Sequence, residues 1–482
     1  MASVVETVTG TTMAELLAAR DRATEADIVE LRLDGVRDVN VAAALARRAR
    51  PAIVTCRPVW EGGLFDGSED ERLNLLSQSV ACGAEYVDVE WKARRLALPK
   101  DSKTRLVISH HDFEGVPEDL AARVHAMRAT GADVVKVAVS ARTLTDCLKL
   151  RAAMAGDHAH VAIAMGVAGQ VTRAWPGRFG SCWTYGGSSA PGQIAARQLI
   201  EVFRVRETTS NSIAYGITGA PLGHSASPAM HNAALAGLGL DAVFVPLETA
   251  DAADLIEVAE ALGVVGVSVT APLKSSFFHL AKADASSRGL GAINTLRRGP
   301  NGWEARNFDV AGFLAPLEQR AARLRGRRAV VLGAGGAARA AIAALKAKDI
   351  PVAVSARRAD RARALAIALN VDVAPFPPAP DWDLLVNTTP AGTWPHVNES
   401  PIGRDALRGL AGKVVFDLVY NPQETTLMRW AREAGAEVIG GLEMLVAQAD
   451  LQFQWWTGQR APDRVMAEAA RTFVRSHETH DV

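Results

Sequence analysis

The chain has 482 residues, 22% of them charged and 49% hydrophobic, with 53 Lys plus Arg balanced by 53 Asp plus Glu, values typical of globular protein in water. At about 100 to 200 residues per domain, this length accommodates two to four domains. Residues 1–206 hold 26 basic and 25 acidic groups and the remainder 27 and 28, so neither half carries the basic surplus that neutralising nucleic-acid phosphates requires.

Cys56, Cys82, Cys147 and Cys182 are widely spaced and form no C-x-x-C pair, which speaks against a disulfide framework or a zinc site and for a reduced, cytoplasmic setting. The N-terminal MASVVETVTGTTMAELL lacks a basic segment leading into an apolar one. No apolar run approaches the ~18 residues of a membrane span. The expected partners are small molecules, with neither nucleic acid nor membrane. Only ten of the basic residues are Lys, so Lys136 and Lys274, each in an apolar segment, stand out.

In chain order, short β-branched runs alternate with Ala/Leu/Arg-rich helical stretches up to residue 206. Strands are expected at 3–8, 27–33, 52–57, 86–91, 105–111, 134–139, 160–166 and 182–186, and helices near 12–21, 38–49, 70–82, 117–129, 142–154 and 192–203. Eight parallel strands with intervening helices close most naturally into a (β/α)8 barrel. RETTSNS (206–212) is polar and aperiodic and reads as a linker. After it come AYGITG, AVFVPLE and GVSVTAPLK in one block up to residue 312, then RRAVVLGAGG opening a βαβ nucleotide fold. The segment APFPPAPD (374–381) reads as a loop, and an amphipathic helical stretch from Leu442 to about Arg475 closes the chain.

Side chains at the carboxyl ends of barrel strands converge on one mouth. Late strand positions supply Glu30, Arg32, Arg57, Glu90, His111 and Lys136. Charges at alternate positions of a strand as apolar as VVKVAV are costly unless paired or functional. A lysine desolvated there has its charged form disfavoured, which lowers its pKa and frees the amine to attack a carbonyl. A histidine can move protons near neutral pH, and a carboxylate such as Glu90 can fix its tautomer. On residues alone an aldolase, a transaldolase and a β-eliminating dehydratase all stay open.

ELRLD (30–34), TCR (55–57), VDVEW (87–91), SHHDF (109–113), VVKVAV (134–139), MGVAGQVTR (165–173) and SSAPGQ (188–193) together resemble the type I 3-dehydroquinate dehydratases. The resemblance implies that Lys136 forms an imine with the C3 ketone of 3-dehydroquinate, and that His111, rather than His110, moves the C2 proton with Glu90 orienting it. It further implies that Arg173, Ser189 and Gln193 hold the substrate carboxylate, with Glu30, Arg32 and Arg57 on ring hydroxyls.

In the second half, a strand runs into a glycine turn and an Ala-rich helix at Gly333, Ala334, Gly335, Gly336 and Ala337, the context in which a backbone approaches a pyrophosphate. The next strand ends at Ala356 with Arg357, Arg358 and Arg361 where an NAD-binding chain carries an acid, so NADP (NADPH) is the expected cofactor. GHSASP (223–228), SVTAPLK (268–274), GAINTL (291–296), RNFDVAGF (306–313), NTTPAG (387–392), DLVYNP (417–422) and GLEMLVAQA (441–449) resemble shikimate dehydrogenase. This resemblance implies Lys274 and Asp309 as a catalytic pair at the substrate ketone, and Ser225 and Ser227 on the ring carboxylate. Thr270, Asn294, Tyr420 and Gln448 would contact ring oxygens, while Thr388, Leu418 and Gly441 would border the cofactor. Two positions depart from the family pattern: Phe308 in Asn307-Phe308-Asp309, and Ala356 after the second cofactor strand.

The expected architecture is α/β: a (β/α)8 barrel over 1–206, a substrate lobe over 213–312, a Rossmann lobe over 313–440 and a C-terminal helical segment over 441–482 packing back on the substrate lobe. The shared metabolite implies a bifunctional enzyme that dehydrates 3-dehydroquinate and reduces the 3-dehydroshikimate formed. The alternatives are a quinate-preferring dehydrogenase in the second half and a catalytically silent metabolite sensor.

Overall fold

The computed structural model describes residues 2–187, 192–223, 225–320 and 324–478. The chain divides into two compact units, Met1–Leu222 with Asp241–Val264, and Gly223–Leu240 with Val265–Val482. No described helix is long and apolar enough to cross a membrane.

In the first unit β1 (Ser3–Val8), β2 (Ile28–Arg32), β3 (Ala52–Thr55), β4 (Tyr86–Glu90), β5 (Arg105–Asp112), β6 (Val134–Ser140), β7 (His160–Met165) and β8 (Trp183–Gly186) lie in the order 7-6-5-4-3-2-1-8, with every ladder parallel. The last gap, between β7 and β8, is bridged by the single pair His160 and Ser181 and by the Cys182 N–H donated to the His160 carbonyl at 2.9 Å. The barrel is therefore nearly closed. Its helices begin where the sequence supplies caps: Ser68 and Glu71 form a capping box on Glu69–Ala81, and Thr143 with Asp146 does the same for Leu144–Met154. Residues 91–104 contain no helix, so the β4–β5 connection departs from a strict strand–helix repeat.

Residues 206–212 are fixed along the barrel. Arg206 pairs with Asp27 at 2.9 Å, the Trp175 indole donates to the Thr209 carbonyl at 2.8 Å, and Arg178 donates to that of Ser210 at 3.2 Å. The chain then enters β9 (Ile213–Gly219), which pairs in parallel with β10 (Ala242–Glu248). The helix Ala252–Leu262 that follows packs on the barrel helix Leu144–Met154. Asp254, on that second helix, caps the first: its carboxylate accepts the Leu144 N–H at 3.0 Å and the Thr145 N–H at 2.9 Å, together with the Thr145 hydroxyl.

In the second unit β11 (Val264–Val269) runs antiparallel to β13 (Thr295–Gly299), which forms a hairpin with β14 (Gly302–Arg306); β12 (Lys282–Ala283) pairs in parallel with β14. The strands β15 (Ala329–Leu332), β16 (Val352–Ser355), β17 (Asp372–Val373), β18 (Leu384–Asn387), β19 (Val414–Asp417) and β20 (Glu437–Gly440) form a parallel sheet. Its order is 17-16-15-18-19-20. This is the doubly wound order 3-2-1-4-5-6, which opens a ligand crevice where the connections reverse, at the carboxyl ends of β15 and β18. The expected single C-terminal helical stretch is two helices, Gly441–Thr457 and Val465–Glu478, because Gly458 takes a left-handed φ of 74° and ends the first. The second packs on the helix Ser227–Gly237.

Replacing Asp254 by Ala leaves two amides of a helix N-terminus without their acceptor, and is expected to cost about 1 to 2 kcal/mol of stability. A lower urea midpoint read by tryptophan fluorescence checks this; an unchanged midpoint would show that the cap contributes nothing.

Candidate active sites

Pleating sends alternate residues of each barrel strand inward. On β6 this buries Lys136, whose Nζ donates to Glu30 Oε1 and Asp88 Oδ2, both at 3.1 Å. The ammonium also lies 4.3 Å from the centre of the Tyr185 ring. Burial alone would lower the lysine pKa, as the sequence suggested, but Glu30, Tyr185 and Asp88 outweigh it and the pKa is raised. The expectation of a readily neutral amine is therefore corrected: Lys136 rests as an ammonium.

Glu30 accepts from Thr55 at 3.0 Å and Thr7 at 2.7 Å besides Lys136. Burial pushes its carboxyl up, yet Lys136 and Arg32 prevail and hold it at about 2. Arg32 forks onto Asp34 with two contacts of 2.8 Å. Arg57 donates Nη1 to Glu90 and to Ser109, each at 2.7 Å, and Nη2 to Asp88 at 3.0 Å. Its terminal nitrogens are thus already committed to protein partners.

The expected pairing of Glu90 with His111 is also corrected. Oε1 of Glu90 is taken by Arg57 and Oε2 by Arg72, both guanidinium groups being buried. Burial pushes the Glu90 carboxyl up to about 7, against the attraction of Arg57. The carboxylate beside His111 is instead Glu61, in the turn after β3: Oε1 accepts the His111 N–H at 2.6 Å and lies 3.5 Å from its Nδ1. Burial would raise Glu61, but the two imidazoles of His110 and His111 outweigh it and hold the carboxyl at about 2. His111 itself is pushed down to about 4 by burial and by Arg57, so it is neutral at pH 7. His110, one residue earlier, turns to the outer layer, where its Nε2 lies 3.1 Å from Arg123 Nη1 and its ring meets Trp91 edge-on.

Arg173 is buried at 5% exposure, and its Nη1 donates to the Ala164 carbonyl at 2.8 Å. Among the described residues its Nε is buried without a partner, and burial alone lowers its pKa to about 10. A guanidinium desolvated without an acidic partner suits a ligand carboxylate. Gln193 is half-buried after β8, while Ser189 lies outside the described residues. Three residues of this site, Glu61, Asp88 and Tyr185, were not anticipated from the sequence. Asp88 shares the inward parity of Glu90, which is a usable signal; Glu61 sits in an aperiodic turn.

In the second unit Lys274 Nζ donates to Asp309 Oδ2 at 2.6 Å. Asn294 donates to Asp309 Oδ1 at 2.8 Å and to Gln448 Oε1 at 3.2 Å, while its own oxygen accepts from the Phe308 N–H at 2.9 Å and the Thr295 hydroxyl at 2.7 Å. Phe308 thus serves the site through its backbone, and its ring sits edge-on to Trp455. Thr270 lies four residues before Lys274 in the same turn, its carbonyl accepting the Leu273 N–H at 3.0 Å. Ser225 accepts the Ser227 N–H at 3.3 Å. Burial pushes the Tyr420 phenol up against hydrogen bonds with the Ala226 backbone and the Ser225 side chain. Ser225, Ser227 and Tyr420 therefore gather around one turn.

The glycine turn joins β15 to the helix Gly336–Lys346, whose N-cap Gly335 provides no side-chain cap. Gly333 has φ of 110°, and a Cβ there would stand 2.5 Å from Thr388 Oγ1, so only glycine fits. A Cβ at Gly441 would stand 2.2 Å from the Leu418 carbonyl. Ala334 and Ala337 flank the uncapped helix start, the kind of helix N-terminus whose amides suit an anion. Arg357, Arg358 and Arg361 are exposed beyond the half-buried Ala356, and none forms an ion pair with another described residue. Free amides, a glycine cradle and unpaired guanidinium groups fit a phosphorylated dinucleotide. A Cβ at Gly336 would stand 3.6 Å from Lys274 Cδ, so this cradle adjoins the lysine–aspartate pair.

Three family models match the chain: Type I 3-dehydroquinase over residues 4–210, Shikimate dehydrogenase substrate binding domain over 217–296 and Shikimate 5′-dehydrogenase C-terminal domain over 441–471. The chloroplastic bifunctional 3-dehydroquinate dehydratase/shikimate dehydrogenase of Arabidopsis thaliana is 32% identical over 476 residues, covering 91% of this chain and 78% of its own length. The shikimate dehydrogenase (NADP(+)) of Anaeromyxobacter sp. is 40% identical over 277 residues, 54% of this chain and 96% of that one. Among solved structures, the shikimate 5-dehydrogenase of Thermus thermophilus in complex with NADP(H) and shikimate matches 54% of this chain and 99% of its own, with 34% identity and a TM-score of 0.50.

Since Glu61 favours the charged form of His111, Glu61→Gln is expected to move the imidazole titration midpoint below its value of about 4. Histidine NMR titration of the two proteins reads this directly; an unmoved or higher midpoint would remove Glu61 as the partner of His111.

Proposed function

The chain belongs to the family of bifunctional 3-dehydroquinate dehydratases/shikimate dehydrogenases, and on that premise we propose that Lys136 and His111 carry its first reaction and Lys274 and Asp309 its second. The enzyme dehydrates 3-dehydroquinate to 3-dehydroshikimate and reduces that product to shikimate with NADPH.

The dehydratase assignment is carried by the position of Lys136 Nζ between two carboxylates. The amine must lose a proton before it can attack, and Asp88 and Glu30 lie where that proton can go. Attack on the C3 ketone, with loss of water, gives a protonated imine, which withdraws electrons from the adjacent C–H far better than the ketone does. His111, neutral at pH 7, takes the C2 proton and returns one to the departing C1 hydroxyl, which leaves as water. Hydrolysis of the imine then frees the lysine. Glu61 orients the imidazole, in place of Glu90. Arg173, with Ser189 and Gln193, holds the ring carboxylate; Glu30 and Arg32 face ring hydroxyls. Glu90 fixes Arg57 between β3 and β4.

In the second site NADPH, when bound, supplies the hydride. Lys274 places a proton on the ring oxygen that becomes a hydroxyl, and Asp309 keeps the ammonium in position. Asn294 and Gln448 complete the ring contacts with Thr270 and Tyr420, and Ser225 and Ser227 hold the carboxylate. The glycine turn takes the pyrophosphate, Thr388, Leu418 and Gly441 border the nicotinamide side, and Arg357, Arg358 and Arg361 take the 2′-phosphate. The four free cysteines support a reducing, cytoplasmic setting.

Given 3-dehydroquinate and NADPH, the native protein should oxidise NADPH, whereas Lys136→Ala should not until 3-dehydroshikimate is added. Borohydride with substrate should trap a covalent adduct only when Lys136 is intact; an adduct in the variant would refute the assignment. Arg357→Ala is expected to raise KM for NADPH about tenfold while leaving KM for NADH nearly unchanged, and equal effects on the two coenzymes would deny Arg357 the 2′-phosphate.

A further inference from the structure

Where the chain enters β7 and β8, beside the first residue of β7, a pocket of about 370 Å³ opens. It lies where the helix Leu144–Met154, the turn Pro176–Phe179 and the end of the helix Ala252–Leu262 meet. Arg151 and Arg178 both line it, and among the described residues no carboxylate does. Each guanidinium places one N–H on a backbone carbonyl: Arg151 Nη1 on Ala261 at 3.2 Å, and Arg178 Nη1 on Ser210 at 3.2 Å. Among the described residues the remaining donors have no acidic partner, and Arg178 Nε is buried without a hydrogen-bond partner. Burial and the neighbouring charge of Arg151 both push Arg178 below its ordinary pKa. Ala152, Ala155 and Gly156, small residues at the end of the helix Leu144–Met154 and just after it, belong to the same lining.

Two like charges sharing one partly desolvated pocket repel each other unless an anion lies between them. A phosphate carries more acceptor oxygens and more negative charge than a carboxylate, and so is the better match for two guanidinium groups at once. We propose that this pocket binds a phosphate group, inorganic or esterified, bridged between Arg151 and Arg178. None of its lining residues belongs to either catalytic centre. Because the helix Ala252–Leu262 contributes Ala261 to its wall, an occupant braces that helix against the barrel.

The test must silence the other sites able to take an anion. Inorganic phosphate is titrated calorimetrically into the 482-residue chain carrying Arg173→Gln, Arg357→Gln, Arg358→Gln and Arg361→Gln, at ionic strength fixed with sodium chloride. Binding is expected to persist in this background and to weaken about tenfold or more on adding Arg178→Gln or Arg151→Gln. Arg197→Gln, an exposed arginine paired with Glu201, should leave it unchanged. Introduced alone, Arg178→Gln and Arg151→Gln should keep both catalytic activities, which shows that the fold is intact. A parallel titration with phenyl phosphate separates the two sources: tighter binding than inorganic phosphate assigns an esterified ligand, and weaker or equal binding assigns the free ion. Absence of binding in the starting background, unchanged affinity in both pocket variants, or equal weakening by Arg197→Gln would each overturn the proposal.

Discussion

Beneath the barrel mouth, Glu30, Asp88 and Glu90 are buried together with Lys136, Arg57 and Arg72, and neither set is tenable without the other. A lone buried charge costs several kcal/mol, and its removal from such a lattice strands a partner. The lattice draws its members from β2, β4 and β6, the end of β3 and the helix Glu69–Ala81, with Ser109 of β5 joining through its hydroxyl. A slip of one residue in any of these strands would turn its charge outward into the helical layer. Strand register and catalytic geometry are thus set by the same contacts. The resting state of Lys136 follows as well: the carboxylates that make its burial tolerable also keep it protonated, so they must take part in releasing it.

The second unit repeats the device on a smaller scale, with amides in place of guanidinium groups. Asn294 uses both ends of its side chain: the NH2 holds Asp309 and Gln448, and the oxygen holds the Phe308 amide. Gln448 comes from the helix Gly441–Thr457, and Gln452 of the same helix donates to the Asn294 carbonyl at 3.1 Å. A helix far along the chain therefore shapes the surroundings of Lys274. The Phe308 departure from the family pattern is tolerable because the contact depends on its backbone.

Much of this was legible in the sequence because it is periodic. The eight barrel strands and the glycine turn follow from alternation or from a strand running into a helix, whereas the choice of His111 over His110 rests on the family motif. What was not legible depends on distance across strands. Glu90 and Asp88 have the same parity on β4, and nothing in their spacing tells which meets a lysine and which two arginines. The pKa of Lys136 could not be given its sign without knowing that two carboxylates face it. Glu61 lies in a turn with no period, four residues after Arg57. The break at Gly458 was available as a glycine followed by Pro462, but the strong apolar pattern on either side masked it.

The fixed connection at residues 206–212 bears on how such a fusion could be taken apart. A barrel excised at that point would lose the carbonyl that satisfies the Trp175 indole and the Asp254 carboxylate that caps the helix Leu144–Met154. Its surface would carry open donors where the intact chain has filled ones. The dehydratase half has become dependent on sequence encoded after it, so a freestanding version would need replacement acceptors at both places, and exchanging the order of the two enzymes in a single gene would have to rebuild this seam.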